Sequence, residues 1–155
     1  MALIPVGLIT DMAINNRRTS SNIILCAIER SIISISNTLS FLNSNSTIYI
    51  EEIMNVIRKN DLEHTITILK GLVDQERKKN HNPVVMKSLE GVSEILKKID
   101  EDLLSLEKAI KYHNNKYFSK WRAFYWEGTA ENLIINSSIL YRRYTLLFEL
   151  IKMDK

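Results

Sequence analysis

One cysteine, Cys26, leaves this 155-residue chain unable to close a disulfide on itself. A disulfide-stapled secreted scaffold is excluded on that ground, and the composition suits a reducing, cytoplasmic environment. Cys26 stands among Ile23, Ile24, Leu25 and Ile28, where it is expected to act as a small buried hydrophobe. Proline (2) and glycine (4) are scarce. Few tight turns are then available, and long unbroken elements are favoured. Gly71, Gly91 and Gly128 stand alone, so no glycine-rich phosphate loop exists. The apolar start, residues 1–14, lacks a basic leader and is interrupted by Asp11, which makes it a poor signal peptide. No run of about 18–20 apolar residues is present, so no transmembrane helix is expected. The net charge of +3 is too small to imply nucleic-acid binding.

What is present is periodicity. Leu89, Val92, Leu96, Ile99, Leu103, Leu106 and Ile110 follow one another at alternating steps of three and four. Only an α-helix gathers that spacing into one stripe. Asn82-Pro83 marks its start, with Asn as N-cap and Pro at the first helical position. A helix over residues 84–115 would be about 45–50 Å long, and it is stable in water only if other helices cover its stripe. Ile95 and Leu104 widen that stripe beyond a two-stranded seam.

Other elements follow from the same reasoning. Residues 2–14 form an apolar arm or short helix, and Asn15-Asn16-Arg17-Arg18 reads as a polar break. Ser20 or Ser21 then caps a helix to about Asn43, with Ile24, Ile28, Ile35, Leu39 and Leu42 on one face. A short helix runs from Ile48 to Arg58. The next is capped by Asn60 or Asp61 and buries Leu62, Ile66, Leu69, Leu72 and Val73. Thr129 opens the last helix, whose seam is Leu133, Ser137, Leu140, Tyr144, Leu147 and Ile151, widened by Ile134, Tyr141 and Phe148. The expected fold class is all-α: a single domain over residues 1–155, with residues 1–15 as an N-terminal arm. Five or six helices surround a four-helix antiparallel core that includes one long heptad helix.

The densest constellation is Lys116 to Trp126, which holds half of the aromatic residues interleaved with cations. The plainest reading is that Tyr117, Trp121 and Phe124 plug an open bundle end while the cations face water. The same residue types populate protein-interface hot spots, suit a membrane–water interface, and can stack on single-stranded nucleic acid. Tyr112, Lys116, Tyr117, Lys120, Trp121, Arg122, Phe124, Tyr125 and Trp126 are the residues of an expected interaction surface.

Catalytic signatures are missing. His64, His81 and His113 form no pair at metal-binding spacing, and Glu90, Glu94, Glu101 and Glu107 fall off the heptad seam. No metal site, cofactor site or small-molecule substrate is expected. His113 occupies a seam position and is expected to be partly buried and hydrogen-bonded, with a pH switch as the alternative. Ser137 is a small seam residue that permits close helix approach; nothing in the sequence supplies it with a base and an orienting acid. Arg142 and Arg143 either ring an exposed face or pair with acids such as Asp100 and Asp102, and pairing is the expected arrangement.

The layout resembles the N-terminal four-helix bundle of the mixed-lineage kinase-like pseudokinase of necroptosis, and the fungal HeLo and plant mildew-resistance bundles. The residues carrying the resemblance are Leu3-Ile4-Pro5-Val6-Gly7-Leu8-Ile9 at the start and Ile139-Leu140-Tyr141-Arg142-Arg143-Tyr144-Thr145-Leu146-Leu147 in the last helix. These are amphipathic patterns without a diagnostic motif, so no functional residue carries over. The resemblance implies a self-associating, membrane-engaging bundle of the cell-death or immunity type.

The sequence therefore supports a non-enzymatic helical bundle serving as a protein-interaction module, adaptor or regulator, in the cytoplasm. A protein partner or self-association is expected. A membrane-engaging bundle with peripheral membrane association is the alternative, and a bundle enzyme comes third; nucleic acid is not an expected partner.

Overall fold

The computed structural model describes residues 6–45, 47–115 and 126–154, which form five helices and their short connections. They are α1 (Val6–Ser44), α2 (Ile48–Lys59), α3 (Leu62–Glu76), α4 (Pro83–Asn114) and α5 (Glu127–Met153). The chain is an all-α bundle.

α4 is the heptad helix. Its N-cap, Asn82, accepts a hydrogen bond from the Val85 N–H at 2.8 Å, and Pro83 follows in the first turn, where no N–H is needed. Every seam residue from Leu89 to Ile110 is buried, and so is Ile95. Leu104 is not: it is 38 % exposed, so the stripe is narrower on that side than its hydrophobicity suggests.

α1 differs most from expectation. Asn15-Asn16-Arg17-Arg18 does not break it, and the backbone stays helical from Val6 to Ser44. No proline occurs in that span and no glycine follows Gly7, so nothing forces the backbone out of the helix. Ser21 is consequently not a cap; it lies inside α1, fully buried, and its hydroxyl has no hydrogen-bond partner among the described residues. The buried face runs Leu25, Ile28, Ile32, Ile35, Leu39, Leu42. Cys26 falls one residue off that face and is exposed, not buried, because its apolar sequence neighbours are spread around the whole helix. The segment Ser20–Ser44 is long and apolar enough to cross a membrane. That property escapes a search for an unbroken apolar run, because serines punctuate the segment.

Cross-helix contacts set the directions. Thr38 donates to Glu107 at 3.3 Å and the Lys111 ammonium lies 5.0 Å from the Phe41 ring centre, so α1 and α4 advance together. Asn43, near the end of α1, pairs with Glu63 at the start of α3, and Glu29, in mid-α1, pairs with Arg77 at the end of α3, so α3 opposes α1. Asn136 with Asp102, Arg143 with Gly91, and Asn82 with Asp154 show that α5 opposes α4. α2 packs at the end where α1 finishes and α3 begins, touching α5, α3 and α1. It buries Ile50, Ile53, Met54 and Ile57. At the connection from α2 to α3, Asp61 takes the cap position in the left-handed region (φ 54°) with no side-chain cap bond, and Asn60 bonds back to the Val56 carbonyl. All five helices contribute to one continuous core.

Candidate functional site

Of the expected interaction surface, only its two ends lie within the described residues. Tyr112, in the last turn of α4, is 65 % exposed. Trp126, at the N-cap position of α5, is half-buried and packs on the core, and its N–H donates to the Glu127 carboxylate at 3.1 Å. Lys116, Tyr117, Lys120, Trp121, Arg122, Phe124 and Tyr125 lie outside the described residues.

A different apolar surface emerges on α5. Leu133, Ser137, Leu140 and Leu147 are buried, with Tyr144, Phe148 and Ile151 partly so, which is the expected seam. Ile134 and Tyr141 do not widen it into the core: they are 46 % and 60 % exposed. α5 has α4 as its principal neighbour, so the flanks of a wide apolar helix are left uncovered. On one flank Tyr141, Tyr144 and Phe148 form an edge-to-face ladder with ring centres 5.6 and 5.7 Å apart. The other flank carries Ile135, Ile139, Arg142, Leu146, Leu150 and Met153 at steps of three and four, a second helical stripe. Ile135 and Leu146 are each 57 % exposed and Met153 is 80 % exposed, whereas Ile139 and Leu150 are partly buried.

Beside this second stripe runs a groove of about 300 Å³ between α4 and α5. Val84, Ser88 and Gly91 of α4 and Leu146 and Leu150 of α5 line it, with Lys87 and Arg143 at its rim. Arg143 donates to the Gly91 carbonyl at 2.7 Å and stands 3.7 Å from Glu94. Its acid is thus Glu94 rather than Asp100 or Asp102. The antiparallel register sets Arg143 level with residues 91–94, about two turns away from Asp100. Arg142 is exposed and has neither a hydrogen bond nor an ion pair among the described residues. Asp102 instead accepts from Asn136 at 3.0 Å. Burial pushes the Asp102 carboxyl above its ordinary value, with the Asn136 hydrogen bond opposing and neighbouring Glu101 adding to the rise.

The opposite feature, a polar cluster, lies at the connection from α3 to α4. Glu76 and His81 are both almost fully buried, with Oε2 and Nε2 2.9 Å apart; Lys79 donates to the other Glu76 oxygen at 3.2 Å. The connection turns through Lys78 in the left-handed region (φ 67°). Nearby, Arg77 binds Glu29 of α1, whose hydrogen bond and charge raise the pKa of the guanidinium, and Asn82 donates to Asp154 beyond α5 at 2.6 Å. A shallow pocket of about 290 Å³ borders the cluster, lined by Glu76, Lys79, Asn80, His81, Ile151 and Asp154. It holds no hydroxyl or thiol nucleophile, and His81 Nδ1 is buried without a partner rather than open to it. The cluster ties three helices together at one end. Sequence reasoning missed this pair because His81 sits in an Asn-His-Asn-Pro stretch with no apolar neighbour to signal burial.

His113 is half-buried on its seam. Glu90, Glu94 and Glu101 are exposed, and Glu107 is mostly covered by Thr38 and Lys111. Among the described residues no group of three His, Cys, Asp or Glu side chains could hold a metal ion. No family profile, curated protein sequence or solved structure matches this chain.

Proposed function

We propose that this bundle works without catalysis, as a module that binds another polypeptide through α5. The observation that supports this reading is the exposure of Ile135, Leu146 and Met153 along one flank of α5, with exposed Val84 across the α4–α5 groove from Leu146. Isolated surface hydrophobics are ordinary, but a contiguous set bordered by charge marks a contact surface. Leu146 and Val84 at a groove supply the apolar centre, and Lys87, Arg142 and Arg143 a polar rim, the general arrangement of protein interfaces.

A membrane-engaging bundle is the second reading. The length and apolar composition of Ser20–Ser44 favour it, together with Ile23 and Ile33, which are 65 % and 53 % exposed on α1. The protein reading is preferred because the main apolar stripe of that segment is already buried in the core.

The two readings separate in one pair of measurements on the full chain. A photo-crosslinking residue at position 135 or 146, in cells that make the protein, is expected to give discrete polypeptide adducts that are absent when the crosslinker is placed at exposed Lys97. Flotation with phosphatidylcholine–phosphatidylserine vesicles is expected to leave the chain in the dense fractions. Adducts indistinguishable from the Lys97 control, or a chain that floats, would overturn the protein-binding reading.

A further inference from the structure

We propose that two copies of this chain pair through the Ile139–Met153 part of the α5 stripe, antiparallel, about a two-fold axis at Leu146. The inference rests on the reading of α5 as a protein-contact surface and names its occupant. Two observations carry it: the stripe is self-complementary in charge about that axis, and its Arg142, Leu146 and Met153 are exposed within the chain.

Consider the stripe as a sequence of steps from Leu146. Arg142 lies four residues before it, and Leu150 and Glu149 lie four and three after it; Ile139 lies seven before and Met153 seven after. An isologous contact brings each residue before the axis against the residue equally far beyond it in the other copy. Leu146 then meets Leu146 of the second copy. Ile139 meets Met153, and Arg142 meets Leu150 with Glu149 beside it. Leu146, Ile139 and Met153 thus face apolar residues, and each Arg142 gains a carboxylate beside it, twice over by symmetry.

Charge decides the orientation. Arg142 has no partner among the described residues, and Glu149 has only Lys152 at 3.1 Å, in a pair whose side chains are 61–67 % exposed. Such an exposed pair holds its members weakly, so Glu149 is free to exchange. A parallel pairing in register would set Arg142 against Arg142 and Glu149 against Glu149, and like charges across an interface exclude that arrangement. A lipid surface is disfavoured by the same residues, since the Glu149 carboxylate borders the stripe. The adjoining α4–α5 groove, with exposed Val84, gives the second copy's helix an apolar bed on its flank.

Sedimentation equilibrium of the full chain from about 1 to 200 µM, a range that brackets modest self-association, tests the proposal. The wild-type chain is expected to reach a dimer within that range. Leu146→Glu is expected to leave a monomer throughout. Arg142→Glu and Glu149→Arg singly are each expected to weaken the dimer at least about tenfold, since each removes both symmetry-related charge pairs. The double reversal R142E/E149R is expected to regain most of the wild-type affinity. All three positions are at the surface, and far-UV circular dichroism checks that each variant keeps its helix content. A monomer at every concentration, a dimer indifferent to Leu146→Glu, or a double reversal no tighter than the single variants would each overturn the pairing. A monomeric chain that still yields adducts to a different polypeptide from position 146 would overturn the self-pairing alone, whereas flotation on vesicles would overturn the protein-binding reading as well.

Discussion

His81 and Glu76 are five residues apart, and each shields the other from water at the α3–α4 connection. A buried carboxylate keeps its place only while its hydrogen-bond partners remain. His81→Ala removes one of the two and leaves Lys79, whose ammonium is half-exposed. The expected cost is about 1–3 kcal/mol of unfolding free energy, the range for an orphaned buried polar group. Urea denaturation measures it, and an unchanged midpoint would show that solvent reaches Glu76. Asp102 presents the reverse case. Its carboxyl is held above the ordinary value chiefly by burial, so the folded chain binds this proton more tightly than the unfolded chain does. Stability from this group is therefore greatest below the ordinary carboxylate value, roughly pH 4. It falls as the pH rises through the raised value. Asp102→Asn keeps an acceptor for Asn136 and has no charge to bury. The variant is expected to match or exceed wild type at pH 7, and to lose the decline between acid and neutral pH in thermal unfolding. A variant less stable than wild type at pH 7 would mean that the Asn136 bond needs the charge.

α4 shows how much one helix can be read from spacing. Its cap, its first-turn proline and its seam were all legible at Asn82, Pro83 and Leu89–Ile110, because a 3.6-residue repeat has one solution on a helix. Leu103 sits in mid-seam with no exposure. Leu103→Ala is expected to cost roughly 2–5 kcal/mol, the range for large-to-small changes in a packed core. A loss below about 1 kcal/mol in chemical denaturation would mean that the site collapses around the change or faces a weak partner. α1 and α5 were less legible. The polar run in α1 looked like a boundary, yet polarity does not stop a helix when neither proline nor glycine intervenes. In α5 the apolar set exceeds what its neighbours can cover, and hydrophobicity does not say which flank stays dry. Ile134 and Tyr141 were expected inward and lie outward.

Taken together, the helices make an arrangement in which α4 is covered on two sides, by α1 running with it and α5 running against it. α3 is less than half as long as α1, and its contacts with α1 run only from Glu29 to Asn43. α2 closes the end where those two meet. One continuous core unites all five, and the surfaces left over define what the molecule offers to others. Among the described residues they include the two α5 flanks and the exposed face of α1 bearing Ile23, Cys26 and Ile33. Self-pairing through the Leu146 flank of α5 would cover that flank and leave the Tyr141 flank and the α1 face open.

Periodicity, caps and scarcity of glycine and proline were enough to establish an all-α bundle, the extent of α4, and which residues of α3 and α4 form the core, because those properties are local or repeat along one helix. Neighbouring helices settled the rest. Cys26 lies outside because the six-residue face beside it meets α4 and Cys26 does not. Arg143 pairs with Glu94 and not with Asp100 because antiparallel register, a property of two helices at once, sets them level. His81 is buried because the ends of α3, α4 and α5 converge on a polar stretch that looks like an exposed loop when read alone. The α5 stripe is a surface for the same reason: an apolar face becomes core or interface only according to what packs on it.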